Sequence, residues 1–60
     1  MHPLYSKAYN GLGVVEYRRG RLFLADKKFK EALALDSEFA EAYNGLGLVE
    51  YSQGHLESAE

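Results

Sequence analysis

Between Leu4 and Arg19 the apolar and small residues Tyr5, Ala8, Tyr9, Leu12, Gly13 and Val15 recur at steps of three, one, three, one and two. That spacing keeps them on one broad face of a helix. Gly20 follows, where the lack of a Cβ permits the left-handed turn that closes a helix, and Arg18 and Arg19 sit near the negative end of the helix dipole. A second stretch, Leu22 to Leu35, sets Leu22, Ala25, Phe29, Ala32 and Leu33 against Lys27, Lys28, Lys30 and Glu31 on the other side. It is rich in good helix formers and predicts an amphipathic helix. Asp36 and Ser37 break the pattern, and either residue type can cap a following helix. The third predicted helix runs from about Glu38 to Gln53 and stops at Gly54, after which Leu56 to Glu60 begins a fourth.

The third helix repeats the first. AYNGLGVVEYRRG at residues 8–20 returns as AYNGLGLVEYSQG at residues 42–54, ten of thirteen positions being identical and the period 34 residues. A period of that size means one supersecondary unit copied along the chain, each copy too small to bury its own apolar face. Function in such a protein is read from a surface rather than from a pocket. One local signal points elsewhere: Asn10-Gly11 and Asn44-Gly45 are hairpin dipeptides flanked by valines and tyrosines. The helical period outweighs them. Two glycines in each copy, Gly11 with Gly13 and Gly45 with Gly47, each cost a helix about 1 kcal/mol relative to alanine, which suggests close helix approach.

Leu12-Gly13, with Tyr9 three residues before the leucine and Tyr17 five after it, precedes the turn at Gly20 and then Leu22, Ala25, Phe29 and Ala32. This pattern resembles the tetratricopeptide repeat, a helix-turn-helix unit of 34 residues. Ser37 stands where that family often has proline, Pro3 falls one period earlier, and Glu16 and Glu50 stand where an aromatic is common, one residue ahead of Tyr17 and Tyr51. The resemblance implies an all-α fold of antiparallel helix-turn-helix units in a right-handed superhelix, here three helices plus a stub of a fourth. Residues 1–60 then form a single unit, with a first repeat at 6–39 and a truncated second at 40–60.

In proteins of that family the first helices of successive units line a concave groove. The resemblance places Lys7, Asn10, Val14, Tyr17 and Arg18 of the first copy there, joined by Glu41, Asn44, Leu48, Tyr51 and Ser52 of the second. Asparagine offers both a donor and an acceptor to an extended backbone, and tyrosine supplies amphipathic contact area. The implied partner is a protein or peptide. Lys7 and the two asparagines also echo part of the carboxylate-gripping set of some family members.

Composition adds a second expectation. A chain of 60 residues buries only about 60% of the surface its unfolded form exposes, and with no cysteine neither disulfides nor thiolate metal sites can supplement the core. Repeat arrays usually need at least about three units. Self-association is therefore expected, to a dimer or larger homo-oligomer, through Leu46, Val49 and Leu56 of the second copy. The net charge of −2 conceals a polarised chain, +5 over residues 1–30 and −7 over residues 31–60, which would orient such pairing.

Other classes find little support. His55-Leu56-Glu57 spells H-x-E but lacks the downstream cysteine pair of zinc deaminases, and Gly11-Leu12-Gly13 lacks the third glycine of a dinucleotide loop. The serines have no partnered base, so an enzyme, a metal or a cofactor is not expected. The basic cluster Arg18, Arg19, Arg21, Lys27, Lys28 and Lys30 has no interleaved stacking aromatic, and the acidic second half would repel a polyanion, so nucleic acid is not expected either. No stretch approaches the roughly 18 consecutive apolar residues of a membrane span, and the N-terminus lacks signal-peptide character. The default location is cytoplasmic.

Overall fold

The computed structural model describes residues 3–58, with side chains from 4 to 54. It contains three helices, α1 (Pro3–Arg18), α2 (Leu22–Leu35) and α3 (Ala40–Ser58), and no strand among the described residues. Both Asn-Gly dipeptides lie inside helices. Short connections turn α2 antiparallel to α1 and α3 antiparallel to α2, so α1 and α3 run side by side in the same direction.

The first turn is closed by Gly20, whose φ of +79° is the only left-handed value among the described residues. The Gly20 N–H donates to Tyr17 O at 3.0 Å and the Arg21 N–H to Glu16 O at 2.9 Å, a Schellman closure that satisfies two carbonyls at the end of α1. The second turn works differently. Asp36 closes α2 by donating its N–H to Ala32 O at 2.9 Å, and its Oδ1 accepts the Glu38 N–H at 3.1 Å. This aspartate turn fixes the chain at the place where residue 37 is not proline. Neither Asp36 nor Ser37 caps α3, because the helix begins at Ala40 and its first bond runs from the Ala42 N–H to Phe39 O.

The expected stop at Gly54 and the separate fourth helix do not occur. Helix α3 continues through Gly54 to Ser58, and Gly54 keeps a negative φ. At Gly20 the reversal is held by the packing of α2, which buries Ala25, Phe29 and Ala32. Between Gly54 and Ser58 the sequence supplies one large apolar residue, Leu56, and extending a helix costs far less than nucleating a new one.

Ala25, Phe29, Ala32, Ala42 and Val49 are buried at the centre, with Tyr9, Tyr17, Leu22, Leu33, Phe39 and Leu46 packed around them. Helix α2 is the middle layer, and Phe29 is its keystone. A Cβ added at Gly13 would lie 2.7 Å from the Phe29 ring, and one added at Gly45 would lie 2.5 Å from it, so the ring is held between a glycine of α1 and a glycine of α3. Gly11 and Gly47 have nothing within 4 Å of an added Cβ. Close approach is thus real at one glycine in each helix, and at different repeat positions.

That difference shows how two near-identical helices take unlike places. On α1 the stripe Tyr9, Gly13 and Tyr17 packs inward while Ala8, Leu12 and Val15 stay exposed. On α3 the equivalents of the exposed set, Ala42, Leu46 and Val49, pack inward while Tyr43, Gly47 and Tyr51 are exposed. The expected self-association residue Val49 is therefore corrected to a core residue at 0% exposure, and Leu46 packs partly against the core. Both belong to the stripe with which α3 grips the preceding pair. The Leu56 side chain lies outside the described residues.

Candidate functional site

Because α1 and α3 are parallel, equivalent residues of the two copies stand next to each other across the cleft between them. The cleft has a volume of about 390 Å³. Asn10 and Val14 of α1 line one wall, Asn44 and Leu48 of α3 the other. Tyr17 and Arg18 close the end formed by the last turn of α1, and Glu41 stands at the opposite end near the start of α3. Arg18 thus marks one end of the cleft and Glu41 the other.

The floor is Phe29 with Gly45. Sequence reasoning does not place either residue in the groove, since Phe29 reads as an ordinary core position of α2. The available signal is Gly45: a helix position without a side chain leaves a gap through which the layer beneath can show. Lys7, Tyr51 and Ser52 are not part of the cleft wall. Ser52 instead meets Tyr17, their hydroxyl oxygens 3.1 Å apart, which ties α3 to α1 at the positive end.

Asn10 is the least satisfied polar group of the cleft. Its Oδ1 is shielded from solvent and has no hydrogen-bond partner among the described residues. A buried acceptor left without a donor costs roughly 1–3 kcal/mol. Asn44 is exposed.

Three cations of the basic cluster are engaged by nearby acids, two of them in residues 1–30 and the third Glu31. Lys30 Nζ lies 3.1 Å from Asp26 Oδ2, Lys28 Nζ 3.4 Å from Glu31 Oε1 and Arg21 Nη1 3.7 Å from Glu16 Oε1. Lys28 also stands 5.7 Å from the centroid of the Tyr9 ring. These pairs knit α2 to itself and to α1.

Comparison with protein families finds a match to the model described as TPR repeat over residues 13–54, more than two-thirds of the chain. The chain belongs to the TPR repeat family. The matched span covers the end of α1, the Gly20 closure, all of α2 and α3 as far as Gly54. TPR repeats mediate protein–protein interaction and bind proteins or peptides, and the family is one of non-catalytic interaction modules. No curated protein and no solved structure matches this TPR chain. Among the described residues no group of three or more histidines and acids is placed to hold a metal ion, and no helix is long and apolar enough to cross a membrane.

Proposed function

We propose that this TPR unit is a protein-interaction module that holds an extended peptide segment in the cleft between α1 and α3. The observation that carries the reading is the pair of repeat-equivalent asparagines, Asn10 and Asn44, lining opposite walls of one cleft. A segment lying along the cleft pairs its backbone with the side-chain amides of Asn10 and Asn44, while Val14 and Leu48 cover its apolar side chains. The opposed charges of Arg18 and Glu41 favour one direction of the segment over the other.

The test is a selection from a displayed library of short peptides, followed by titration of a recovered binder. Asn10→Ala and Asn44→Ala are each expected to weaken binding by about 5- to 100-fold, the range of one buried hydrogen bond of roughly 1–3 kcal/mol. Binders that tolerate the double substitution would place the interaction elsewhere and reject the cleft.

A second reading, homotypic assembly, is favoured by the surface. The chain exposes 4441 Å², more than the roughly 3,900 Å² of a compact protein of its mass. Exposed apolar residues lie on both sides of the stack, among them Leu4, Leu12, Val15 and Phe23 on α1 and α2 and Tyr43 and Tyr51 on α3. Burying one side against another would follow the logic that packs α3 on α1 and α2, with the basic and acidic halves orienting the encounter. Light scattering at about 100 μM is expected to give a mass above the monomer's 6.8 kDa, falling on dilution and with added salt. A monomer mass at that concentration rejects assembly and leaves the cleft reading intact.

A further inference from the structure

Helix α2 turns Ala25, Phe29 and Ala32 into the core, between α1 and α3. Phe23, Lys27, Lys30 and Ala34 follow one another at steps of four, three and four. At about 100° per residue they form a second stripe, on the side of the helix opposite the buried one. All four are exposed, and the Phe23 ring is 75% exposed where the Phe29 ring is 2% exposed. Phe23 therefore adds little to the core, and only something outside the chain can remove its ring from water. It also stands between Arg21 and Lys27, which corrects the expectation that the basic cluster has no aromatic within it.

The charge around this ring has one sign. Residues 1–30 contain two acids, Glu16 and Asp26, whose side chains are only 19% and 26% exposed and already stand beside Arg21 and Lys30. Arg19, Arg21, Lys27 and Lys30 are all exposed, and Arg19 and Lys27 have no ion pair among the described residues. Two cations thus lie where the chain enters α2 and two more lie within two turns along it, with the ring between. From Phe23 to Lys30 the stripe is about 10 Å long, seven residues of helical rise. The exposed acids among the described residues are Glu38, Glu41 and Glu50, in the turn after α2 and on α3.

We infer that the outer stripe of α2 docks a short acidic segment of a separate protein, one with an apolar side chain between two groups of carboxylates. The apolar side chain covers the Phe23 ring. One group of carboxylates meets Arg19 and Arg21, and the other meets Lys27 and Lys30. Charge complementarity selects an acidic partner, and the position of the chain's own acids selects a short one. A segment confined to about 10 Å stays within a Debye length of the cations, whereas a nucleic-acid strand or an anionic bilayer runs on past the stripe toward Glu38 and Glu41. The site is independent of the cleft between α1 and α3, whose floor is Phe29 on the inward side of the same helix.

The probe is a synthetic peptide of four glutamates, one phenylalanine and four further glutamates, titrated into the intact 15N-labelled protein. Saturable shift changes are expected at the amides of residues 19–30. Phe23→Ala should weaken binding by about 5- to 10-fold, as should alanine in place of the peptide's phenylalanine. Lys27→Glu should weaken it by about 5- to 10-fold as well, since it turns an attraction into a repulsion. Both side chains are exposed, so circular dichroism of the two variants should match the parent. Lys7→Glu makes the same change in net charge at an exposed cation of α1 and should leave affinity within about twofold. Asn44→Ala should leave it unchanged.

Absence of binding would overturn the inference, as would equal losses from Lys7→Glu and Lys27→Glu, which would mean attraction to net charge alone. Shifts centred on Asn10 and Asn44 would move the peptide to the cleft and overturn it too. So would equally tight, Phe23-dependent binding of a thymidine oligonucleotide or of phosphatidylcholine vesicles with about 30% phosphatidylserine, since the surface would then take polyanions or lipid in general. Shifts at residues 19–30 that arise on concentrating the protein alone, and that the peptide fails to reverse, would assign the stripe to a second copy and equally overturn it.

Discussion

Phe29→Ala is expected to lower the unfolding free energy by about 3–5 kcal/mol, the range for removing a buried aromatic ring. The upper part of that range applies here. The ring is 2% exposed, and the positions on either side of it, Gly13 and Gly45, have no side chains that could relax into the space it leaves. A domain of this length has a total stability of roughly 3–9 kcal/mol, so the variant loses most or all of it. Thermal unfolding followed by far-ultraviolet circular dichroism should show either no cooperative transition or a midpoint lowered by some tens of degrees. A midpoint within about 5 °C of the parent, roughly 1 kcal/mol in a domain this small, would mean that the three helices are held by something other than this ring.

The same residue shows what the amino-acid order makes legible and what it does not. Helix α2 is readable to the residue, Leu22 to Leu35, because its apolar stripe, its charged face and its bounding turn all agree. The Gly20 closure is readable for a similar reason: a glycine after two arginines at the end of an apolar stripe has one economical conformation. The destination of each copy is harder to read. Residues 8–13 and 42–47 are identical, so no local pattern can say that Gly13 meets Phe29 while its equivalent Gly47 is open, or that Val15 is exposed while Val49 is in the core.

Position in the stack decides those fates. Helix α1 turns its Tyr9, Gly13 and Tyr17 stripe inward, whereas α3 turns its other stripe, Ala42, Leu46 and Val49, to the same core. Val49 is misleading in sequence because the exposed stripe of α3 is the one that carries Tyr43, Gly47 and Glu50, not the one that carries Leu46 and Val49. Gly54 illustrates a related limit, since a glycine permits a helix to end but does not oblige it to. In the cleft, the repeat arithmetic alone sets Asn10 beside Asn44 and Val14 beside Leu48. The Phe29 floor depends on a third helix and so escapes any reading of α1 and α3 alone.

The four helix-interior glycines should respond to alanine with opposite signs, although the two copies are alike in sequence. At Gly11 and Gly47 a methyl group enters open space, so the helix-propensity gain of up to about 1 kcal/mol is retained, and each variant should melt about 4–8 °C above the parent. At Gly13 and Gly45 the methyl lands within 2.7 Å and 2.5 Å of the Phe29 ring. Overpacking of that kind costs about 1–3 kcal/mol, enough to cancel the propensity gain and reverse it. Both methyls meet the same ring atoms, Cδ1, Cε1 and Cζ of Phe29. The two substitutions share one steric partner, so the Gly13→Ala, Gly45→Ala double variant should depart from the sum of the singles. Phe29→Leu should then restore part of the loss in the double variant while destabilising the parent, a sign reversal that only a shared steric site produces. Urea midpoints for the set decide the matter: if Gly45→Ala is as stable as Gly47→Ala, the ring does not stand between α1 and α3, and the cleft floor built on it is wrong.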